Sequence, residues 1–156
     1  MTPSAIENLA SLYERDETAW LDQMAQLAAE RRYEQMDWGH LSEYFSDMAI
    51  AQRREVLHRL TTLLAHLLKW EHQSARRSRS WELTIQDQRE ELQDLLEESA
   101  TLRRHASKVL DKAYHRARRR AAGETGLAEN TFPARCPMSL PQILGETGDS
   151  REEPLP

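Results

Sequence analysis

The residues best placed for chemistry lie in HLLKWEHQSARRSRSW, residues 66–81, which packs two histidines, four basic residues and two tryptophans into sixteen positions. A proton-transfer site would use His66. An anion-binding loop would use Arg76, Arg77 and Arg79 beside the free amides of a following helix. A joint between two helices would use Trp70 and Trp81 as packing groups. The joint is the expected reading. HLLKW closes one helix, where Lys69 suits the negative pole of the helix dipole, and Ser78 or Ser80 caps the next. Both tryptophans are then expected to be largely buried, Arg76, Arg77 and Arg79 exposed, and His66 packed and hydrogen-bonded beside an apolar stripe.

Other patterns argue against catalysis. Glu55-Val-Leu-His58 is the one Glu-x-x-His in the chain, whereas a carboxylate-bridged di-iron bundle needs two. His58 and His66 stand two helical turns apart, about 12 Å, too far to share one metal. Glu43 and Asp47 share a helix face opposite Leu41, Phe45 and Met48 and are expected to be solvated. Cys136 precedes Pro137 with no base in view. There is no glycine-rich phosphate loop, dinucleotide fingerprint or serine elbow. No catalytic residue, metal ligand or cofactor is assigned.

Charge is organised along two segments. Residues 87–98 are acidic, with Asp87, Glu90, Glu91, Asp94, Glu97 and Glu98 against Arg89. Residues 102–120 are basic, and Arg104, Lys108, Lys112 and Arg116 form an i,i+4 ladder of like charge that repels itself. Two suppliers of negative charge fit: the acidic segment, expected to run antiparallel beside the ladder, or a nucleic-acid backbone. Internal balance is the expectation, and nucleic acid is the alternative.

The elements that carry these residues read as helices. Proline is absent from residues 4 to 132, and glycine occurs there only at 39, 123 and 126. Leu, Ala, Glu, Gln and Arg dominate, all strong helix formers. A helix over 16–32, capped by Asp16, should bury Trp20, Met24, Leu27 and Ala28. A helix over 37–70 is unusually long, roughly 50 Å. Its buried face begins as Leu41, Phe45 and Met48 and ends as Val56, Leu60, Leu63, Leu64 and Leu67, rotated by about a quarter turn. A third helix reaches Ser99, with Trp81, Ile85, Leu92, Leu95 and Leu96 inward. A fourth covers 101–124, with Leu102, Ala106, Val109, Leu110, Ala113 and Ala117 inward and Gly126 as a left-handed cap. Beyond it, Pro133, Pro137 and Pro141 mark an extended strap. Phe132, Ile143 and Leu144 would fasten this strap, and it ends in a short helix with a Ser139/Gln142 capping box.

The fold class is therefore all-α: a four-helix bundle with one long helix, closed by a C-terminal extended strap plus short helix. Residues 1–145 form a single helical domain, and 146–156 a polar tail expected to be disordered. A length of 156 residues, 39% of them apolar, supports one ordinary core. The net charge of −5 excludes a global pull toward nucleic acid. A single cysteine precludes an intramolecular disulfide and suits a reducing compartment. No signal peptide is expected from MTPSAIENLASLYERD, which lacks a basic start followed by an apolar core. No apolar run is long enough to span a membrane. A cytoplasmic location follows.

The chain resembles a bacterial family known as domain of unknown function 29. LYERDETAW, HLLKWEHQSARRSRSW, the Arg of DQREEL, AYHRAR, and ETGL…FP…CP…ILGE carry the resemblance, through Tyr13, Asp16, Trp20, His66, Lys69, Trp70, Gln73, Trp81, Arg89 and Tyr114. Met138 and His72 depart from it, each standing where an aromatic residue is common. The resemblance implies a small helical bundle and no established activity. The expected function is a non-enzymatic protein-interaction module, binding another protein or a second copy. Its candidate functional or structural cluster is His66, Lys69, Trp70, Gln73, Arg76, Arg77, Arg79, Trp81 and Arg89. The alternative is a nucleic-acid or anion binder using Arg104, Lys108, Lys112 and Arg116 with the Arg-rich loop, and an enzyme without a recognisable site is the third option.

Overall fold

The computed structural model describes residues 3–146. The polar tail from residue 147 onward lies outside them. Six α-helices follow one another: α1 Pro3–Arg15, α2 Glu17–Ala29, α3 Trp38–His72, α4 Arg79–Glu98, α5 Ala100–Thr125 and α6 Leu140–Ile143. Short 3-10 turns at Tyr33–Gln35, Ser74–Arg76 and Glu129–Thr131 join them. No strand forms among the described residues. The architecture is all-helical.

Local chemistry sets the boundaries. Asp16 accepts from the Ala19 amide at 3.0 Å and starts α2. Ser78 accepts from the Trp81 amide and starts α4, and Ser99 accepts from the Leu102 amide, so one serine ends α4 and starts α5. Gly126 ends α5 at φ 74°, a left-handed conformation that glycine adopts without a Cβ penalty. Ser139 and Gln142 form the full capping box of α6. α2 ends differently. Arg31 takes φ 57°, a position where a side chain is strained and glycine would not be. The long helix α3 has 35 residues, about 52 Å at 1.5 Å each.

The chain divides into two compact units, 1–50 and 51–156, with α3 contributing to each. In the first, Trp20, Met24, Leu27, Met36 and Leu41 are buried, backed by Leu9, Leu12, Tyr13, Leu21 and Tyr44. This corrects two expectations. Ala28 is exposed. Phe45 and Met48 are also in water, because the cluster around Trp20 is completed by Tyr44 of α3 and by α1, a helix that the sequence did not predict.

In the second unit, Val56, Leu60, Leu63, Leu64 and Leu68 of α3 pack in one cluster with Ile85, Leu92 and Leu96 of α4. The small residues Ala106, Ala113, Ala117 and Ala121 of α5 belong to it, as do Phe132, Leu140, Ile143 and Leu144 from the C-terminal segment. Tyr114 is buried there too.

Candidate functional site

Residues 66–81 hold a buried charge at Lys69, a member of the expected cluster. Lys69 is only 6% exposed. Its ammonium donates to Glu124 Oε2 of α5 at 2.7 Å and lies 4.9 Å from the centre of the Trp81 ring. Glu124 also accepts from Arg120 Nε at 2.8 Å, and Arg120 donates onward to Thr62 Oγ1 at 3.1 Å. Lys69 stands in the last turn of α3, as expected, and has a second task there. It closes a network of Thr62, Lys69, Arg120 and Glu124 that ties α3 to α5. Burial pushes the Glu124 carboxyl up, but the hydrogen bonds and charges of Arg120 and Lys69 outweigh it and hold the carboxyl at about 2.

His66 sits half-buried one turn before Lys69. Its Nδ1 is 2.9 Å from the Thr62 carbonyl. A carbonyl only accepts, so Nδ1 carries the proton and Nε2 the lone pair. Burial, joined by the charges of Lys69 and Arg120, pushes this histidine below its ordinary range, against the opposing pull of the Thr62 carbonyl and Glu124. It is neutral at neutral pH. No nucleophile is hydrogen-bonded to it among the described residues, so the arrangement packs His66 without giving it a reaction partner.

Both tryptophans are mostly buried, each keeping a part of its ring in reach of solvent. Each ring also has a cation over it: the Lys69 ammonium on Trp81, and the Arg77 guanidinium 4.7 Å from the centre of Trp70, which packs against the core on its other side. Arg77 also donates to the Trp70 carbonyl at 2.9 Å, satisfying an end carbonyl of α3. Arg79 pairs with Glu82 at 3.2 Å. Arg76 is exposed, and the Gln73 carbonyl accepts from the Arg76 amide at 2.9 Å, closing the turn Ser74–Arg76. All three loop arginines are exposed, as expected, and two of them also make contacts within the joint.

Arg89 lies elsewhere. Its Nε donates to the Ile143 carbonyl at 2.9 Å, and its side chain passes 3.6 Å from where a Cβ on Gly145 would stand. Gln93 donates to the Leu144 carbonyl, and Arg103 grips both oxygens of Glu146 at 2.6–2.7 Å. Tyr114 donates to the Pro133 carbonyl at 2.6 Å, and Arg118 to the carbonyls of Glu129 and Phe132. The DQREEL arginine and the AYHRAR segment are clamps on the C-terminal segment. A cleft of about 440 Å³ opens beside Gln93, Leu96, Glu97, Arg103 and Glu146, but its arginine and glutamate are already paired to each other.

The first unit holds a polar centre that the sequence did not single out. Trp20 Nε1 donates to Asp37 Oδ2 at 3.2 Å, and His40 Nδ1 meets the same oxygen at 2.7 Å. Tyr13 stacks on His40 at 4.3 Å and meets Trp20 edge-on at 4.8 Å. Asp37 thus positions Trp20, His40 and, through them, Tyr13.

The ladder is a correction. Arg104, Lys108, Lys112 and Arg116 are all exposed, and no ion pair among the described residues joins them to the acidic run of α4. Glu91 turns instead to Arg59 of α3, at 3.6 Å. The acidic face of α4 points away from its core face, Ile85–Leu92–Leu96, by about half a turn. Carboxylates so placed project outward and do not cross to α5. Glu55 of the lone Glu-x-x-His pairs with Arg59 at 2.9 Å, and no group of three metal-ligating side chains forms among the described residues. Burial pushes the Cys136 thiol up, and it donates to the Met138 carbonyl. None of the described helices is long and apolar enough to cross a membrane.

Among curated proteins and among solved structures, none matches the chain. A family model does match, over residues 12–147, a span that takes in Tyr13, the joint, the clamps and the C-terminal segment. The chain belongs to the family described as Domain of unknown function DUF29.

Proposed function

We propose that the protein is a non-enzymatic interaction module whose contact surface is the apolar stripe Trp38, Phe45 and Met48 of α3, paired with the same stripe on a second copy. The stripe's exposure carries the reading. Trp38, Phe45, Met48 and the neighbouring Tyr33 are 55%, 59%, 45% and 50% exposed. At ~200 Å² per side chain they hold ~400 Å² of apolar surface in water, a patch size that is often functional on a monomer. Two copies would bury ~800 Å² of it. In an interface about 60% apolar that corresponds to ~1,300 Å² in total, within the standard range for specific association. Trp38 Nε1 donates to the Tyr33 carbonyl at 2.9 Å. The largest anchor is therefore held in place before contact, which lowers the entropy cost of binding. A two-fold pairing uses the same patch on both copies.

The motif residues support the reading from the other side. Lys69, Trp81, Arg89 and Tyr114 are engaged in holding helices and the C-terminal segment, and no reaction is assigned to them. The finer architecture belongs to the same proposal: four main helices closed by a strap from Phe132 to Leu144, supported by the burial of Phe132, Ile143 and Leu144. A reducing, cytoplasmic location is supported by the single cysteine. The test is sedimentation velocity of the full chain from about 2 to about 200 μM, the range of Kd that corresponds to an association free energy of about −5 to −8 kcal/mol. A monomer–dimer equilibrium in that range is expected. A monomer throughout would overturn the proposal.

A further inference from the structure

The helix α5 sorts its cations by face. Arg103, Arg118 and Arg120 each meet a carboxylate: Glu146, Glu129 and Glu124. Arg104, Lys108, Lys112, Arg116 and Arg119 meet none among the described residues, and all five are exposed. At 100° per residue these five fall within about a third of the helix circumference, with Arg119 between the Lys108 and Lys112 positions. They run for about 22 Å along the axis. Arg104 donates to the Thr101 hydroxyl at 3.3 Å. Asp111 borders the stripe and is the one carboxylate of α5 besides Glu124. The sorting is the observation: cations that face the rest of the unit are neutralised, and those that face outward form an unbroken row.

We propose that this outer face of α5 binds the phosphate backbone of nucleic acid. Like charges at i,i+4 repel, and a row of phosphates relieves the repulsion. One strand of a duplex presents a phosphate every ~3.4 Å of axis, so a row of about 22 Å lies within reach of about six of them. The stripe carries no base-reading pattern. The contact is with the backbone, it positions without specifying sequence, and it depends on salt. An anionic membrane fits less well. A helix that binds a bilayer surface inserts an apolar face, and the apolar face of α5 is committed to the core through Ala106, Ala113, Ala117 and Ala121. The site lies wholly in the second unit and is independent of the α3 stripe.

The test is fluorescence anisotropy of the full chain with a labelled duplex DNA and with a labelled single-stranded RNA, titrated at several salt concentrations. If three to five of the cations each neutralise a phosphate, the log–log salt slope is about −2.7 to −4.5, and affinity falls about 40- to 500-fold between 50 and 200 mM salt. The double reversal Lys108→Glu with Lys112→Glu changes only exposed side chains, and its helical circular dichroism is expected to match the wild type. It is expected to weaken low-salt binding at least tenfold and to flatten the slope. Three results would overturn the proposal: no wild-type binding at 50 mM salt and about 100 μM protein, where even non-specific DNA binding registers; a double mutant that folds and binds like the wild type; or tighter binding to vesicles of phosphatidylserine and phosphatidylcholine than to either nucleic acid.

Discussion

Glu124→Gln tests the network that joins α3 to α5. The substitution keeps the shape of the side chain and removes its charge, leaving Lys69 buried without a counter-ion. The folded carboxyl is held at about 2, against an ordinary value of 4.5. At 1.36 kcal/mol per unit the difference corresponds to ~3.4 kcal/mol. The Glu124 side chain is 38% exposed, so solvent screening reduces the worth of its pairs, and ~2 kcal/mol is the expected loss at neutral pH. The pH dependence has a definite sign. Because the folded value lies below the unfolded one, the unfolded chain binds more protons between pH 4.5 and 2, and stability rises with pH there. The contribution is complete above about pH 5, is below half by about pH 3 and vanishes near pH 2. Urea denaturation followed by far-ultraviolet circular dichroism at pH 7 and pH 3 measures it. Wild type and Glu124→Gln should differ by ~2 kcal/mol at pH 7 and by less than half of that at pH 3. Equal stability at pH 7, or a gap that persists undiminished at pH 3, would refute the reasoning.

Tyr114→Phe removes one hydroxyl and its bond to the Pro133 carbonyl. It should cost about 1–2 kcal/mol in chemical denaturation and speed proteolysis between residues 126 and 140. Arg31→Gly relieves a left-handed backbone at the end of α2. It should raise the unfolding free energy by about 0.5–1 kcal/mol, measured the same way, since the strain of a side chain at that φ exceeds the extra chain entropy of glycine.

Much of the helical layout was legible in the sequence because its signals are local. Asp16, Gly126 and the Ser139/Gln142 pair each act on amides or carbonyls within four residues, so residue type and spacing sufficed to place them, and narrowed the cap of α4 to Ser78 or Ser80. Alternation around α4 and α5 identified Ile85, Leu92, Leu96, Leu102 and Ala113 for the same reason. What needed a distant partner was not legible. Lys69 and Glu124 are 55 positions apart, and nothing beside Lys69 announces a carboxylate on α5. Phe45 and Met48 have the type and spacing of core residues. They stay in water because Tyr44 and α1 already complete the packing around Trp20. The ladder of α5 invited pairing with the acidic run of α4, and only the outward aim of both faces shows that the charges do not meet. Arg89 and Tyr114 were recognisable as motif members, but their task of holding the C-terminal segment required the fold.

The most direct test of the proposed interaction surface is sedimentation equilibrium of Phe45→Ser beside the wild type, with the unfolding free energy of both measured below the association range. Phe45 is exposed and supports no core, so its removal should leave the monomer's stability within about 0.5 kcal/mol, as for other surface substitutions. Loss of a central aromatic anchor should weaken the dimer by about 2 kcal/mol or more, a thirtyfold rise in Kd. A Phe45→Ser chain that associates as tightly as the wild type would contradict the account. So would one that loses several kcal/mol of folding stability, because Phe45 would then belong to a core and not to a contact surface.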